Sequence, residues 1–299
     1  MFTGIVSFAQ QDAQFTNYMY NTININPAYA GSRDVLSVFG LYRTQWVGLE
    51  GAPQTGTFSV NTPIGESRWG AGLGVINDRI GPSNETNIAL DASYSVPLNE
   101  NYKLSFGLKL SANFLNIDFI NKLTKYNDYD PKFKENLNRF SPNIGAGLYL
   151  HSDNTYIGLS VPNFLETKHF DVYAGPTAIS ATAKERMNFY LIAGHVFELS
   201  ESLKFKPAGL AKVVTGAPLQ VDLTGNFMIN DKFVLGIAYR WSAALSGLLG
   251  FQANKALFIG YGYDRETTKL ANYNSGSHEI FIRYEFFKKF DKIVSPRFF

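Results

Sequence analysis

Leu104-Ser105-Phe106-Gly107-Leu108-Lys109-Leu110-Ser111-Ala112-Asn113-Phe114 alternates apolar and polar residues without a break. Successive side chains of a β-strand point to opposite faces, so this stretch predicts a strand with one greasy and one wet face. Ile88, Leu90, Ala92 and Tyr94 repeat the pattern against Asn87, Asp91, Ser93 and Ser95. It recurs in Leu219, Val221 and Leu223 and in Phe233, Leu235, Ile237, Tyr239 and Trp241. No long stripe of period 3.6 interrupts it, so the chain reads as all-β.

Strands are expected near 35–47, 53–62, 67–78, 84–96, 101–117, 138–151, 154–162, 185–198, 201–213, 217–229, 232–243, 246–252, 255–263 and 276–287. That is about fourteen, an even number as bacterial outer-membrane barrels require, and many are long enough to cross a bilayer at a tilt. The connections sort by length. One alternate set is short and rich in turn formers: Pro63–Ser67, Pro97–Glu100, Ser152-Asp153, Ser200, Asn230-Asp231 and Ala253-Asn254. The other holds Asp118–Leu137, Asn163–Lys184 and Asp264–Ser275. Short turns at one end and long loops at the other are the layout of a transmembrane antiparallel β-barrel, with its short turns in the periplasm. A soluble sandwich or lipocalin-like cup also alternates, and is the competing architecture. Trp46, Trp69, Tyr94, Tyr149, Trp241 and Tyr263 are candidates for interfacial girdles.

Composition agrees. Of 299 residues only 17% are charged, while 25 are Phe and 17 Tyr, which suits a surface facing something other than water. The net charge of +2 advertises no nucleic-acid partner. Without cysteine, disulfides and thiolate chemistry are excluded. Met1 to Ala9 reads as the tail of a secretory signal, with Ser7-Phe8-Ala9 as a small-x-small cleavage pattern. The expected organisation is therefore a signal remnant at 1–10, a plug or periplasmic segment at 11–34, and the barrel at 35–299.

Catalytic and cofactor motifs are wanting. His151, His169, His195 and His278 are scattered singly, without metal-ligand spacing. Asp128-x-Asp130 lacks the glycine and distal glutamate of a calcium loop. Gly70-x-Gly72-x-Gly74 lies inside a strand, with no helix to present amides to a phosphate. Like Gly145-x-Gly147 and Gly260-x-Gly262, it is read as a place where the wall bends or a plug packs closely. No catalytic, cofactor or metal residues are assigned; a barrel phospholipase with a serine at its wall is the enzymatic alternative. Asp91, Lys109, Asp222, Arg240 and Arg283 fall on the polar face and should point into the lumen, lining a solute path or filling it with ion pairs.

The leader and first strands carry Gln14-Phe15-Thr16-x-Tyr18-Met19, Asn26-Pro27-Ala28-Tyr29-Ala30-Gly31-Ser32, Arg43-Thr44-Gln45-Trp46-Val47-Gly48 and Gly51-Ala52-Pro53. In these motifs the chain resembles the PorP/SprF family of Bacteroidota outer-membrane proteins, and the resemblance goes further. It continues through Asn77-Asp78-Arg79-Ile80-Gly81-Pro82 to His278-Glu279-Ile280 and the C-terminal Ser295-Pro296-Arg297-Phe298-Phe299. It implies a non-enzymatic barrel of the type IX secretion and gliding system. Such a barrel would bind a secreted surface protein, an adhesin with a C-terminal sorting domain, for export or anchoring, and would meet components of the periplasmic secretion ring. A passive porin for small solutes is the alternative. Leader residues Asn26, Pro27, Ala28, Tyr29, Ala30 and Gly31 and barrel residues Arg43, Gln45 and Trp46 are the motif positions. The aromatic loop residues Phe119, Tyr126, Tyr129, Phe133, Phe164, Phe170 and Tyr173 are expected to grip the partner, since interfaces favour aromatics.

Overall fold

The structure, a computed structural model, describes residues 14–122, 136–166, 168–172, 181–184 and 186–287. Seventeen strands run through them. They are β1 Leu36–Thr44, β2 Gln54–Pro63, β3 Trp69–Ile80, β4 Ser83–Pro97, β5 Lys103–Ile117, β6 Leu137–His151, β7 Thr155–Val161, β8 Lys168–Val172 and β9 Ala181–Lys184. The second half holds β10 Asn188–His195, β11 Phe197–Ser200, β12 Leu203–Val214, β13 Gln220–Ile229, β14 Phe233–Arg240, β15 Ala244–Gln252, β16 Leu257–Glu266 and β17 Ser277–Phe286. All but β8, β9 and β11 form one closed antiparallel barrel of fourteen strands. Neighbours in sequence pair in order, β10 bridges β7 to β12, and β1 pairs with β17 from Leu36↔Phe286 to Thr44↔His278. That last ladder removes the edge that hydrocarbon would not tolerate.

The faces identify the medium. On β5, Leu108 is 68% and Leu110 62% exposed, whereas inward Ser105 and Lys109 are 0% and 5%. Apolar side chains cover the outside of every strand in the ring, Leu90, Phe140, Leu159, Leu191, Leu223, Ile237, Leu249 and Ile282 among them. A soluble sandwich or cup buries such a face. A continuous apolar exterior around a polar interior fits a lipid-embedded barrel instead. Aromatic pairs edge this belt at the short-turn end: Trp69–Tyr94 at 5.0 Å between centroids, Phe205–Phe227 at 4.7 Å and Phe233–Phe251 at 5.2 Å. Tyr42, Tyr239 and Trp241 are exposed on the outside near the other end.

Connections 64–68, 98–102, 152–154, 230–232 and 253–256 lie at one mouth, and 45–53, 267–276 and the described ends of the connections that follow β5 and β7 lie at the other. Each barrel strand overlaps its expected range, with three local departures. The expected strand 185–198 is divided at Val196: β10 stops at His195, and β11 continues alone along the start of β12. The first strand ends at Thr44 rather than 47, because Trp46 adopts a left-handed turn with φ 47°. Tyr149 is not a girdle residue. The alternation of β6 places it inside with Gly147 and His151, where it is 2% exposed.

A lipid-facing belt predicts asymmetric tolerance along β5. Leu110→Arg, at its centre, should lower barrel stability by about 2–4 kcal/mol in reversible folding into phospholipid vesicles, the cost of a cation near the bilayer midplane. An unchanged stability would place this face in water.

Candidate functional site in the barrel lumen

The leader preceding β1 is the principal content of the lumen. Residues 15–33 are buried throughout except Asn24, and Asn26 and Ala28 reach 0% exposure. Its backbone folds into single turns: a 3₁₀ turn over Tyr18–Tyr20, the helical turn α1 over Thr22–Ile25 and a second 3₁₀ turn over Pro27–Tyr29. Asn26 caps the last one, its Oδ1 accepting from Ala28 N at 3.0 Å, with Pro27 in the first position, where its missing N–H costs nothing. Gly31 then turns the chain at φ +73°, a conformation side chains disfavour. A Cβ there would also lie 2.9 Å from Gly70 Cα.

From Gln14 to Arg33 the leader descends from the long-loop mouth to the short-turn mouth. At the first, Arg240 donates to Gln14 Oε1 at 3.1 Å. Thr16 Oγ1 donates to Asp264 at 2.7 Å, and the backbone N–H groups of Thr16 and Asn17 donate to Glu279 at 3.0 and 2.8 Å. Midway, Asn24 Nδ2 donates to Thr57 at 2.8 Å, Lys109 Nζ to the carbonyls of Ile23 and Asn24 at 3.4 and 3.2 Å, and Ser160 Oγ to Ile25 O at 2.7 Å. Lower down, Asn26 Nδ2 donates to Leu148 O at 2.9 Å and Ser93 Oγ to Ala30 O at 2.6 Å, and Arg33 pairs with Glu285. Partners thus come from strands all round the ring.

The wall makes room for the leader with glycine. A Cβ on Gly72 would sit 2.6 Å from Ile23 Cδ1, and one on Gly70, Gly107 or Gly147 would overlap Ala30 O, Ala28 N or Asn26 Oδ1. The glycine alternation within these strands is therefore a groove shaped to the leader backbone. On the opposite wall Tyr20 stacks on Phe281 at 4.9 Å and meets Phe258 at a tilt at 5.2 Å, with Lys206 Nζ 4.9 Å and Arg283 Cζ 5.6 Å over its ring.

Arg43 is the centre of the upper network. Its Nη2 lies 2.6 Å from Asp264 and its Nη1 3.2 Å from Glu279, all three side chains being buried. One guanidinium faces two carboxylates, and the leader amides of Thr16 and Asn17 supply the missing donors. The other expected lumenal charges are also paired inside: Asp91 with Lys109 at 3.4 Å and Asp222 with Arg240 at 2.6 Å, while Arg283 lies 3.8 Å from Glu285.

The structure brings Asn26 to Gly31 together against β3 to β7 and places Arg43 at the upper network. Gln45 and Trp46 lie in the turn above: Arg43 Nη2 reaches Gln45 Oε1 at 3.5 Å, and Trp46 Nε1 donates to Glu266 at 3.0 Å. Of the seven loop aromatics, the side chains of Phe119 and Phe164 are among the described residues. Phe119 is half-buried on the short helix α2, Phe119–Lys122, and Phe164 is exposed beside β6. Tyr126, Tyr129, Phe133 and Tyr173 lie outside the described residues, as does the side chain of Phe170 on β8. Thr16, Asn17, Asp264 and Glu279 were not expected. Strand parity alone points Glu279 inward with Arg283, but no local pattern says that leader amides reach it.

Arg43→Ala would leave Asp264 and Glu279 buried without their cation. A stability loss of about 3–5 kcal/mol, read by heat-modifiability on gels, should be accompanied by protease cleavage of the leader between Gln14 and Asn21.

Among curated proteins, none matches the chain. Solved structures similar to the chain include the CymD monoaromatic hydrocarbon channel, at 13% identity and a TM-score of 0.51, covering 90% of this chain and 93% of that one. Another is the Acinetobacter baumannii outer membrane protein Omp33, at 8% identity and a TM-score of 0.47 over 84% and 98%. The sequence model of the family described as type IX secretion system membrane protein PorP/SprF matches residues 7–284. A closed outer-membrane barrel whose motif residues form a leader-filled lumen is thus a member of the PorP/SprF family.

Proposed function

We propose that this barrel is a non-enzymatic docking component of type IX secretion, which binds a secreted protein, such as an adhesin with a C-terminal sorting domain, for export or retention at the surface. The observation that carries this reading is the filled lumen. Inward side chains of the barrel strands and the whole of Gln14–Arg33 occupy the path a solute would take, which disfavours a passive porin. What such a barrel offers instead is its two ends. The loop-bearing mouth, with Phe119 and Phe164 and the connections 118–136 and 162–187, is the surface assigned to the secreted partner. The short-turn mouth is assigned to the periplasm, where secretion-ring components are reached.

In this reading residues 1–10 are removed and 11–34 serve as an internal plug. The junction of the leader with β1 is periplasmic, while Gln14 stands level with the strand ends beneath the long loops. The expectation of a periplasmic N-terminal segment therefore applies to the junction rather than to the whole leader.

Purification from native outer membranes in mild detergent, followed by mass spectrometry, should recover a secreted protein with a sorting domain. Single-channel recordings of the purified barrel should show no steady large pore. A bare barrel that conducts ions would overturn the assignment. Removal of 163–184 should release the partner without changing heat-modifiability; full retention would shift the contact to other loops.

A further inference from the structure

The leader is bound to its barrel the way a ligand is bound to a receptor. Among the described residues its own backbone–backbone hydrogen bonds are all internal, such as Asn26 N to Thr22 O at 2.8 Å and Ala30 N to Pro27 O at 3.2 Å. Every hydrogen bond between leader and wall employs a side chain: Ser93, Ser160, Lys109 and Glu279 from the wall, Asn24 and Asn26 from the leader. The fourteen-strand ladder closes without any leader backbone in it. The seat is shaped for a main chain, since Gly70, Gly107 and Gly147 admit the backbone or caps of Asn26 to Ala30 where any Cβ would collide.

We propose that the lumen is a binding groove for a single polypeptide segment folded into short helical turns, occupied in cis by this leader and able to accept the corresponding segment of a second polypeptide in its place. The chemistry of the occupant follows from the resident one. It is uncharged from Gln14 to Ser32, carries small residues where Ala28 and Ala30 meet the glycine stripe, and ends in a cation, Arg33, against Glu285. At Gly70 and Gly107 the wall lies against the leader backbone itself, whereas Gly72 makes room for Cδ1 of Ile23.

Two features make exchange attainable. The inward wall is largely polar, with Ser59, Ser93, Ser105, Ser111, Asn113 and Thr224 among its residues, so an emptied groove takes up water without exposing a greasy surface. The fit is also incomplete: the buried side-chain amides of Asn21 and Asn226 make no hydrogen bond among the described residues. Each such group lowers the hold of the leader relative to a fully satisfied core. This inference rests on the lumen alone and stands or falls independently of the secreted partner proposed above.

The test uses the folded full-length barrel. A protease site is introduced at Asp34, which is exposed at the short-turn mouth, and the leader is severed after folding. A fluorescent synthetic peptide with the sequence of Gln14–Arg33 is then added, and its anisotropy is followed over days at a temperature where the barrel stays heat-modifiable. The expected result is saturable uptake matched by release of the severed leader, with none for a scrambled peptide. Ser93→Ala and Ser160→Ala together, which remove two donors to leader carbonyls and nothing from the ladder, should weaken uptake roughly 20-fold. Retention of the severed leader with no peptide uptake, or uptake indifferent to scrambling or to the two serines, would overturn the proposal.

Discussion

Hydrocarbon offers no partner to a backbone N–H or C=O, and every other feature of this molecule follows from that. The ladder must close, so the first strand lies beside the last, Leu36 opposite Phe286. With strand pairing complete, side-chain parity becomes absolute: one set of residues meets lipid and the next meets the lumen. Leu108 and Lys109, neighbours in sequence, thereby lie on opposite faces, one on the apolar exterior and the other buried against Asp91.

Closure at fourteen strands sets the second constraint. Around eight strands, side chains alone fill a barrel; at sixteen to eighteen a water-filled channel opens. The intermediate width is too great for the wall residues to meet across it and narrow enough for one strand of irregular chain to bridge it. The leader has that cross-section, and its single-turn helices are a response to it. They satisfy the backbone internally at each level, leaving side chains free to reach outward. Where carboxylates face inward in excess, as at Asp264 and Glu279 beside the single guanidinium of Arg43, the leader contributes amides rather than charge. At the lower end it brings a cation instead, Arg33, to Glu285.

Much of this was legible before any coordinates. The period of two gave the strands to within a few residues, the sorting of loop lengths gave the barrel, and parity sent Asp91, Lys109, Asp222, Arg240 and Arg283 inward. Tyr149 shows the limit of reading aromatics by type. Near a strand end and large, it looked like a girdle residue, yet its parity with Gly147 and His151 sends it inside, where Tyr29 meets it edge-on at 5.6 Å. The leader motif announced its importance but not its partners. Nothing local in Asn-Pro-Ala-Tyr-Ala-Gly reveals that Gly107, some eighty positions on, is small on its account. Such information resides in pairs of residues brought together by closure, and a single sequence does not display pairs. The loop aromatics are a different case: a preference for interfaces is a property of residue type, and residue type does not fix where a long loop folds.

The direction of the leader bears on how the two ends of the barrel communicate. Because Thr16 and Asn17 bind Glu279 near one mouth while Arg33 binds Glu285 near the other, both ends of the leader are fastened to the same strand, β17. An event at the loop-bearing mouth that drew Glu279 or Asp264 away from the leader would remove its upper fastening and leave the lower one intact. Slack would then travel toward the glycine stripe, where contact is by shape and side-chain donors alone. A plug knitted into the ladder could not respond in that way, since moving it would break the wall. Here the wall and its contents are energetically separable, and separability is what a secretion barrel needs if it is to stay sealed while its occupant or its outer loops change.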